Sequence, residues 1–134
     1  MPHPDAMSCE ITASFLDSGR VLAHAGNGGA ILAGVGSLMV GSELARTVLA
    51  VSLLFWFVEC YYAVRVSIDS SLFRVIAADP EESVRRLDEV LHRAERPLED
   101  RRRGALGLWR KQRAALAAQL ATLMAGIVLR IVGL

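Results

Sequence analysis

The chain has 134 residues, of which 53% are hydrophobic and 22% are charged, and its formal net charge is +1. This length fits one domain, and the near-neutral charge argues against nucleic-acid binding, which needs a strongly basic surface. The charge is unevenly distributed, because 21 of the 29 charged residues (15 basic and 14 acidic) lie in 65–113. The remainder of the chain is therefore strongly apolar.

Three apolar segments follow one another along the chain, at 21–42, 47–66 and 114–134. Apart from Arg65 at a boundary, they contain only two charged residues, Glu59 and Arg130. A helix needs roughly 20 apolar residues to cross the ~30 Å hydrocarbon core of a bilayer. We therefore predict an all-α polytopic membrane protein with three transmembrane helices. The alternative, three buried helices of a soluble domain, would need more covering protein than the chain provides.

The distribution of lysine and arginine predicts the orientation in the membrane. Residues 65–113 hold 12 of the 15 basic residues, whereas the first loop, near 41–46, holds one. The positive-inside rule places the basic segment in the cytoplasm, so we expect the N-terminal segment, 1–20, to be cytoplasmic and the C-terminus to lie outside. Residues 1–17 contain no Lys or Arg, so no secretory signal is expected. The prediction is a multi-pass protein of a bacterial inner membrane.

The first span is rich in small residues at intervals of four. One row is Gly26, Ala30 and Gly34, and a neighbouring row is Gly29, Ala33, Ser37 and Gly41. Small residues with this spacing allow helices to approach closely in lipid. The face they form could pack against the other spans of the chain, against a second copy, or around a lipid or ligand.

The second span contains an intramembrane carboxylate, Glu59, which is costly in lipid unless it is protonated, paired or hydrated. At ~1.5 Å per residue it would lie roughly 10 Å from the boundary of its span, a depth that polar residues of the other spans also reach. The predicted intramembrane polar layer comprises His24, Asn27, Glu59, Gln119 and Thr122. Such a layer could clamp the three helices in register, exchange protons through Glu59 with His24 as relay, or face another subunit.

The segment between the second and third spans, 67–113, is predicted to form a cytoplasmic helical hairpin. Asp79-Pro80 is a typical helix start, with Asp as N-cap and Pro in the first turn. An apolar stripe follows at Val84, Leu87, Leu91, Ala94 and Leu98. Pro97 separates the two helices, and the second is expected to continue through Trp109 into the third span.

Basic residues surround a tryptophan where the chain approaches the third span. The cluster comprises Arg101, Arg102, Arg103, Trp109, Arg110, Lys111 and Arg113. Basic and aromatic side chains at a membrane entry are typical of contact with anionic lipid headgroups. The other interpretation is an ordinary solvated face.

No motif indicates catalysis, a cofactor or a bound metal. Ser67-Ile68-Asp69-Ser70-Ser71 and His92 lack the pattern of a catalytic triad, and we expect a helix or turn boundary there. The three histidines, His3, His24 and His92, lie in separate regions without metal-binding spacing.

We therefore expect a non-enzymatic membrane protein that acts as an oligomerising or accessory subunit of a membrane complex. Its partners would be the bilayer, anionic headgroups, and either a second copy or another membrane protein. It would dock through the small-residue face of the first span and the apolar stripe of the hairpin. The alternative is a small proton- or ion-conducting pore, holin-like or a channel, built around Glu59.

Overall fold

The computed structural model describes residues 4–90 and 97–133, and within these ranges every regular element is a helix. The four helices are α1 (Pro4–Met39), α2 (Glu43–Ala78), α3 (Pro80–Val90) and α4 (Leu98–Val132). The predictions for Leu91, His92 and Ala94, and for His3, lie outside the described residues. An all-helical bundle is thus confirmed for the described part of the chain.

Helices α1, α2 and α4 are each long and apolar enough to cross a membrane. With 36 residues, α1 and α2 are each about 54 Å long, well beyond the ~30 Å hydrocarbon core. Helix α2 contains the whole predicted span 47–66, whereas α1 ends at Met39 and α4 at Val132, a few residues before the predicted ends at 42 and 134. Each helix also extends well beyond its span in the other direction. The N-terminal segment, expected to precede the first span, is part of α1, and residues 67–78 are part of α2.

The three long helices pack side by side as a bundle. A break of three residues, 40–42, reverses the chain between α1 and α2. Helix α4 runs parallel to α1, because Gln112 contacts Gly19 and Gln119 contacts Gly26. The N-terminal part of α1, the C-terminal part of α2, α3 and the start of α4 therefore lie at one end of the bundle, here called the charged end.

The buried residues repeat every seven positions along each long helix. The repeat on α1 and its C-terminal flank is Thr12, Gly19, Gly26, Ala33 and Val40; on α2 it is Ala45, Ser52, Glu59, Val66 and Phe73; on α4 it is Ala105, Gln112, Gln119 and Gly126. This is the spacing of left-handed coiled coils, in which one stripe of each helix faces the common axis. Polar residues occupy the middle of these stripes.

Apolar clusters lie on either side of the polar middle. At the charged end, Leu16 of α1 packs with Phe73 and Ile76 of α2, and Val84, Leu98 and Trp109 lie against this cluster. At the opposite end, Ala33 and Val40 pack with Ala45, Leu49 and Leu123. The hairpin stripe therefore covers the bundle's own core at Val84 and Leu98.

Helix α3 begins at Pro80, as the Asp79-Pro80 pattern predicts. The backbone N–H of Glu82 donates to Asp79 Oδ1 at 3.4 Å, and that of Ser83 donates to the Asp79 carbonyl at 3.1 Å. Helix α4 begins directly after Pro97 and ends at Gly133, whose φ of 79° is the left-handed conformation that glycine adopts easily. The prediction of a helix or turn boundary at Ser67–Ser71 is wrong, because these residues lie inside α2.

Candidate functional site

Glu59, Gln112 and Gln119 form a polar layer at the centre of the bundle, and all three side chains are 0% exposed. Gln112 Nε2 donates to Glu59 Oε1 and to the Gly19 carbonyl, both at 2.9 Å. Gln119 Nε2 donates to the Gly26 carbonyl at 2.8 Å. Gln112 thus joins α4 to Glu59 of α2, and both glutamines join α4 to the backbone of α1.

Glycines on α1 provide the space for these side chains. A Cβ at Gly19 would lie 2.8 Å from Gln112 Oε1, and a Cβ at Gly26 would lie 2.8 Å from Glu59 Oε2. A Cβ at Gly29 would lie 2.9 Å from Gln119 Nε2. Each distance is below normal van der Waals contact, so a Cβ at any of these positions would force the end of the facing side chain to shift.

Three buried oxygens of the layer have no hydrogen-bond donor among the described residues: Glu59 Oε2, Gln112 Oε1 and Gln119 Oε1. In each glutamine the amide nitrogen donates to a backbone carbonyl, of Gly19 or of Gly26, which identifies the other amide atom as the acceptor oxygen. Glu59 Oε2 and Gln119 Oε1 both lie against Gly26. The layer therefore has more acceptors than donors, an arrangement that suits a small hydrogen-bond donor or a cation.

Polar contacts continue for a short distance toward the apolar end and then stop. Ser52 is buried, and its hydroxyl donates to the Gln119 carbonyl at 3.0 Å. Beyond it, the interior consists of Ala33, Leu49 and Leu123. The polar interior is thus closed on that side by apolar packing.

The other residues predicted for the layer lie elsewhere. His24 is exposed. Asn27 is exposed as well, and its Oδ1 accepts from Trp56 Nε1 at 2.9 Å. Thr122 is half-buried and donates to the Ala118 and Gln119 carbonyls of its own helix. The structure brings together Glu59 and Gln119 of the predicted set, and adds Gln112.

Sequence reasoning missed Gln112 because it lies within the run Arg110-Lys111-Gln112-Arg113, whose charges indicate headgroup contact or a solvated face. The signal that could have identified it is the seven-residue interval to Gln119, flanked by Ala105 and Gly126 at the same interval. Seven-residue spacing places side chains on one stripe of a helix in a coiled coil.

The small residues of α1 divide into two groups. Gly26, Gly29, Ala30 and Ala33 are buried within the bundle. Gly34 and Ser37 are half-buried and Gly41 is exposed; a Cβ at Gly34 or Gly41 would meet nothing within 4 Å. Most of the predicted packing face is therefore used inside the chain, and only its C-terminal part is open.

The predicted headgroup cluster lies at the charged end. Arg101 and Arg102 are half-buried, whereas Arg103, Arg110, Lys111 and Arg113 are exposed. Trp109 contacts its own chain: its ring lies 4.5 Å from that of Phe15 between centroids, and its Nε1 donates to Ser18 Oγ at 3.1 Å. The Arg113 guanidinium lies 4.7 Å from the Trp109 ring centroid, a cation–π contact.

A polar link that the sequence did not indicate joins α1 and α2 at the charged end. Asp17 accepts from Arg74 and, at 2.7 Å, from the Ser70 hydroxyl. Ser70 is buried and also lies 3.3 Å from the Ala13 carbonyl. This link fixes the register of the two helices beyond the predicted spans.

In the described ranges, no group of three or more His, Cys, Asp or Glu residues could hold a metal ion. No protein-family model, curated protein or solved structure matches this chain.

Proposed function

We propose that this chain is a non-enzymatic integral membrane protein and an oligomerising or accessory subunit of a membrane complex. It would cross a bacterial inner membrane three times, with the N-terminus in the cytoplasm and the C-terminus outside. The observation that carries the proposal is that the bundle turns many large apolar side chains outward and has small and polar residues at the middle of its interior.

The burial of the three long helices supports membrane insertion. The most apolar windows of α1, α2 and α4 are only 17%, 17% and 28% buried. Leu38, Val21 and Ile131 are 87%, 69% and 78% exposed. An apolar surface of this extent is not stable in water and is typical of contact with lipid or with another protein.

The open part of α1 supports a partner helix. Beyond the buried glycines, Gly28 and Gly34 leave space where a side chain would be, and so does Gly41 at the end of the first span. Backbone exposed by glycine lets a neighbouring transmembrane helix approach closely. The exposed basic residues of the charged end would contact anionic lipid headgroups.

Native mass spectrometry in mild detergent tests the proposal. Protein extracted from its native membrane should have a mass above that of the 14.5 kDa monomer. Gly34→Leu should release the monomer, whereas Gly107→Leu, which also points into open space, should not. A wild-type monomer under all mild conditions would overturn the proposed subunit role.

A second candidate function, a proton or ion path through Glu59, is favoured by the three buried oxygens without a donor. Protons or small cations are what such oxygens attract. The apolar packing of Ala33, Leu49 and Leu123 opposes a continuous path, because it closes the interior on one side. For this reason the subunit role is the better supported of the two.

Proton flux into liposomes separates the two candidates. A conducting protein should lose its flux in Glu59→Gln and keep it in Glu43→Gln, whose carboxylate is 83% exposed at the other end of α2. The melting temperature of both variants is measured in parallel, so that loss of folding is not taken for loss of conduction. Wild-type protein without flux leaves only the subunit role.

A further inference from the structure

A cavity of about 350 Å³ lies between α1 and α2 on the membrane side of the charged end. Its apolar lining includes Ala23, Ala63 and Val64, and its polar lining includes Arg20, His24 and Ser67. This volume falls within the ~300–1,000 Å³ of small-molecule sites, which combine apolar walls with a few polar groups.

The polar lining comes from adjacent turns of two helices in contact. Arg20 and His24 are four residues apart and share one face of α1. The helices touch beside them, because a Cβ at Gly19 would lie 3.0 Å from Val66 Cγ1. Arg20 and Ser67 follow these two residues in the chain, so they lie within about one helical turn of each other along the bundle and both line the cavity.

These three side chains are available to a ligand. In the two described ranges, the side chains of Arg20, His24 and Ser67 take part in no hydrogen bond or ion pair. Asp17 also lines the cavity, but it already accepts from Arg74 and Ser70. The groups left without a partner in the cavity are therefore hydrogen-bond donors, and one of them, the Arg20 guanidinium, is positively charged. Such a set suits a phosphate group.

The surroundings of the cavity indicate what kind of molecule carries the phosphate. From Arg20 and Ser67, both helices continue into the predicted spans, where Val21, Val64 and Tyr61 are 69%, 60% and 61% exposed. A phosphate at Arg20 would thus have apolar surface on its membrane side and the aqueous charged end on the other. A phospholipid has this same order of polar and apolar parts.

We propose that the cavity binds an anionic phospholipid of the cytoplasmic leaflet. The phosphate accepts from the Arg20 guanidinium, the His24 ring and the Ser67 hydroxyl, and an acyl chain follows the α1–α2 groove past Ala23 and Ala63. The proposal depends on the membrane insertion argued above, and it is distinct from the Arg101–Arg113 cluster on α4.

Native mass spectrometry with added lipid tests the site. Detergent-solubilised protein is mixed with equal amounts of phosphatidylglycerol and phosphatidylcholine, and we expect phosphatidylglycerol to be retained preferentially. Arg20→Gln should reduce that preference about tenfold, the size expected for one charge-assisted hydrogen bond. Arg130→Gln, an exposed arginine at the opposite end of the bundle and outside the cavity, should leave it unchanged.

A cavity-filling variant provides an independent measurement. Ala63→Leu adds bulk to the cavity wall and should lower phosphatidylglycerol retention, whereas Ala50→Leu, on an exposed position of the same helix, should not. Melting temperatures identify any variant that does not fold. Equal retention of the two lipids by wild type, or retention unaffected by Arg20→Gln and Ala63→Leu, would overturn the site.

These outcomes are distinguishable from failure of membrane insertion itself. A protein that stays in solution without detergent would overturn both proposals. A protein that requires detergent and yet shows no lipid preference would overturn only the phospholipid site. Displacement of phosphatidylglycerol by millimolar inorganic phosphate would overturn the lipid as ligand.

Discussion

Glu59 is the residue on which the centre of the bundle depends most. Its carboxyl group accepts from Gln112, lies against Gly26 and is fully enclosed by the three long helices. A group with these contacts couples α2 to α4 at the middle of the bundle, between the two apolar clusters. Its side chain should therefore matter for stability through hydrogen bonding and volume.

Replacement of Glu59 by alanine or glutamine separates these contributions. Glu59→Ala leaves a cavity and removes an acceptor of Gln112, and should lower the free energy of unfolding by about 3 kcal/mol. Glu59→Gln keeps the acceptor and adds an N–H donor for Gln119 Oε1, so its stability should equal or exceed that of the wild type. Thermal unfolding in detergent measures both, and a Glu59→Gln variant as unstable as Glu59→Ala would contradict this account.

Substitution of Gly126 tests the close contact between α4 and α2 at a point where no polar group takes part. A Cβ at this position would lie 2.6 Å from Leu49 Cδ2 and 2.8 Å from Leu49 Cγ, so Gly126→Ala should destabilise the bundle by about 1–3 kcal/mol. Gly107→Ala lies on the same helix with nothing within 4 Å of the new Cβ. It should stabilise by roughly 0.5–1 kcal/mol through helix propensity. Equal melting temperatures for the two variants would show that α4 does not pack on α2 in this register.

Single residues were predictable from the sequence only in part. Glu59 and Gln119 stand out because polar groups within apolar segments are rare. Gln112 does not, because its neighbours are charged and composition alone places it in water. The outward direction of His24 was also not predictable, since depth along a span specifies a level and not a side of the helix.

At the scale of elements, the contact between α1 and α2 at the charged end depends on Asp17. Asp17→Asn removes the charge from the contact with Arg74 and weakens the contact with Ser70. We expect faster amide hydrogen exchange in residues 8–20, measured by mass spectrometry. Glu10→Gln, an exposed carboxylate of the same helix, is the control and should leave exchange unchanged. Equal exchange in both variants would mean that the link does not hold α1.

Helix α3 should respond to acid through Glu82. Hydrogen bonds from Arg86 and Arg85 hold the pKa of Glu82 below its ordinary value. A lowered pKa in the folded state stabilises the helix at neutral pH, and this contribution is lost as the pH falls below about 4 toward the lowered value.

The response of α3 to acid can be measured by amide hydrogen exchange in residues 83–87. Protection should decrease as the pH falls below the ordinary carboxyl range of about 4, after correction for the intrinsic rate. In Glu82→Gln it should be low already at neutral pH and show no further change with acid. An acid response that persists in Glu82→Gln would assign the effect to another group.

The elements themselves were largely predictable, and their lengths were not. Hydropathy locates the apolar windows, and Asp79-Pro80 and Pro97 mark the start of α3 and of α4. The end of an apolar window does not end a helix, however, because polar residues such as those at 67–71 are compatible with helical backbone. For this reason α2 continues to Ala78, where the following Asp79-Pro80 interrupts it.

At the scale of the whole molecule, the bundle combines an interior held together by polar residues with an outer surface that is apolar. The seven-residue stripes place Glu59, Gln112 and Gln119 on the inward faces of α2 and α4, and glycines of α1 opposite them allow the helices to approach. This arrangement follows from tertiary packing, which the four-residue rows of small residues on α1 only partly indicated. The outward apolar surface is the feature that the proposed membrane function requires.

The most direct test of the central claim, three membrane crossings with the charged end in the cytoplasm, is cysteine labelling in a Cys9→Ser, Cys60→Ser background. Glu43→Cys and Glu99→Cys introduce single cysteines where the native side chains are 83% and 59% exposed, at opposite ends of the bundle. A membrane-impermeant maleimide should label position 43 in intact spheroplasts and position 99 only after permeabilisation. Labelling of both positions in intact spheroplasts, or of neither before permeabilisation, would contradict the account.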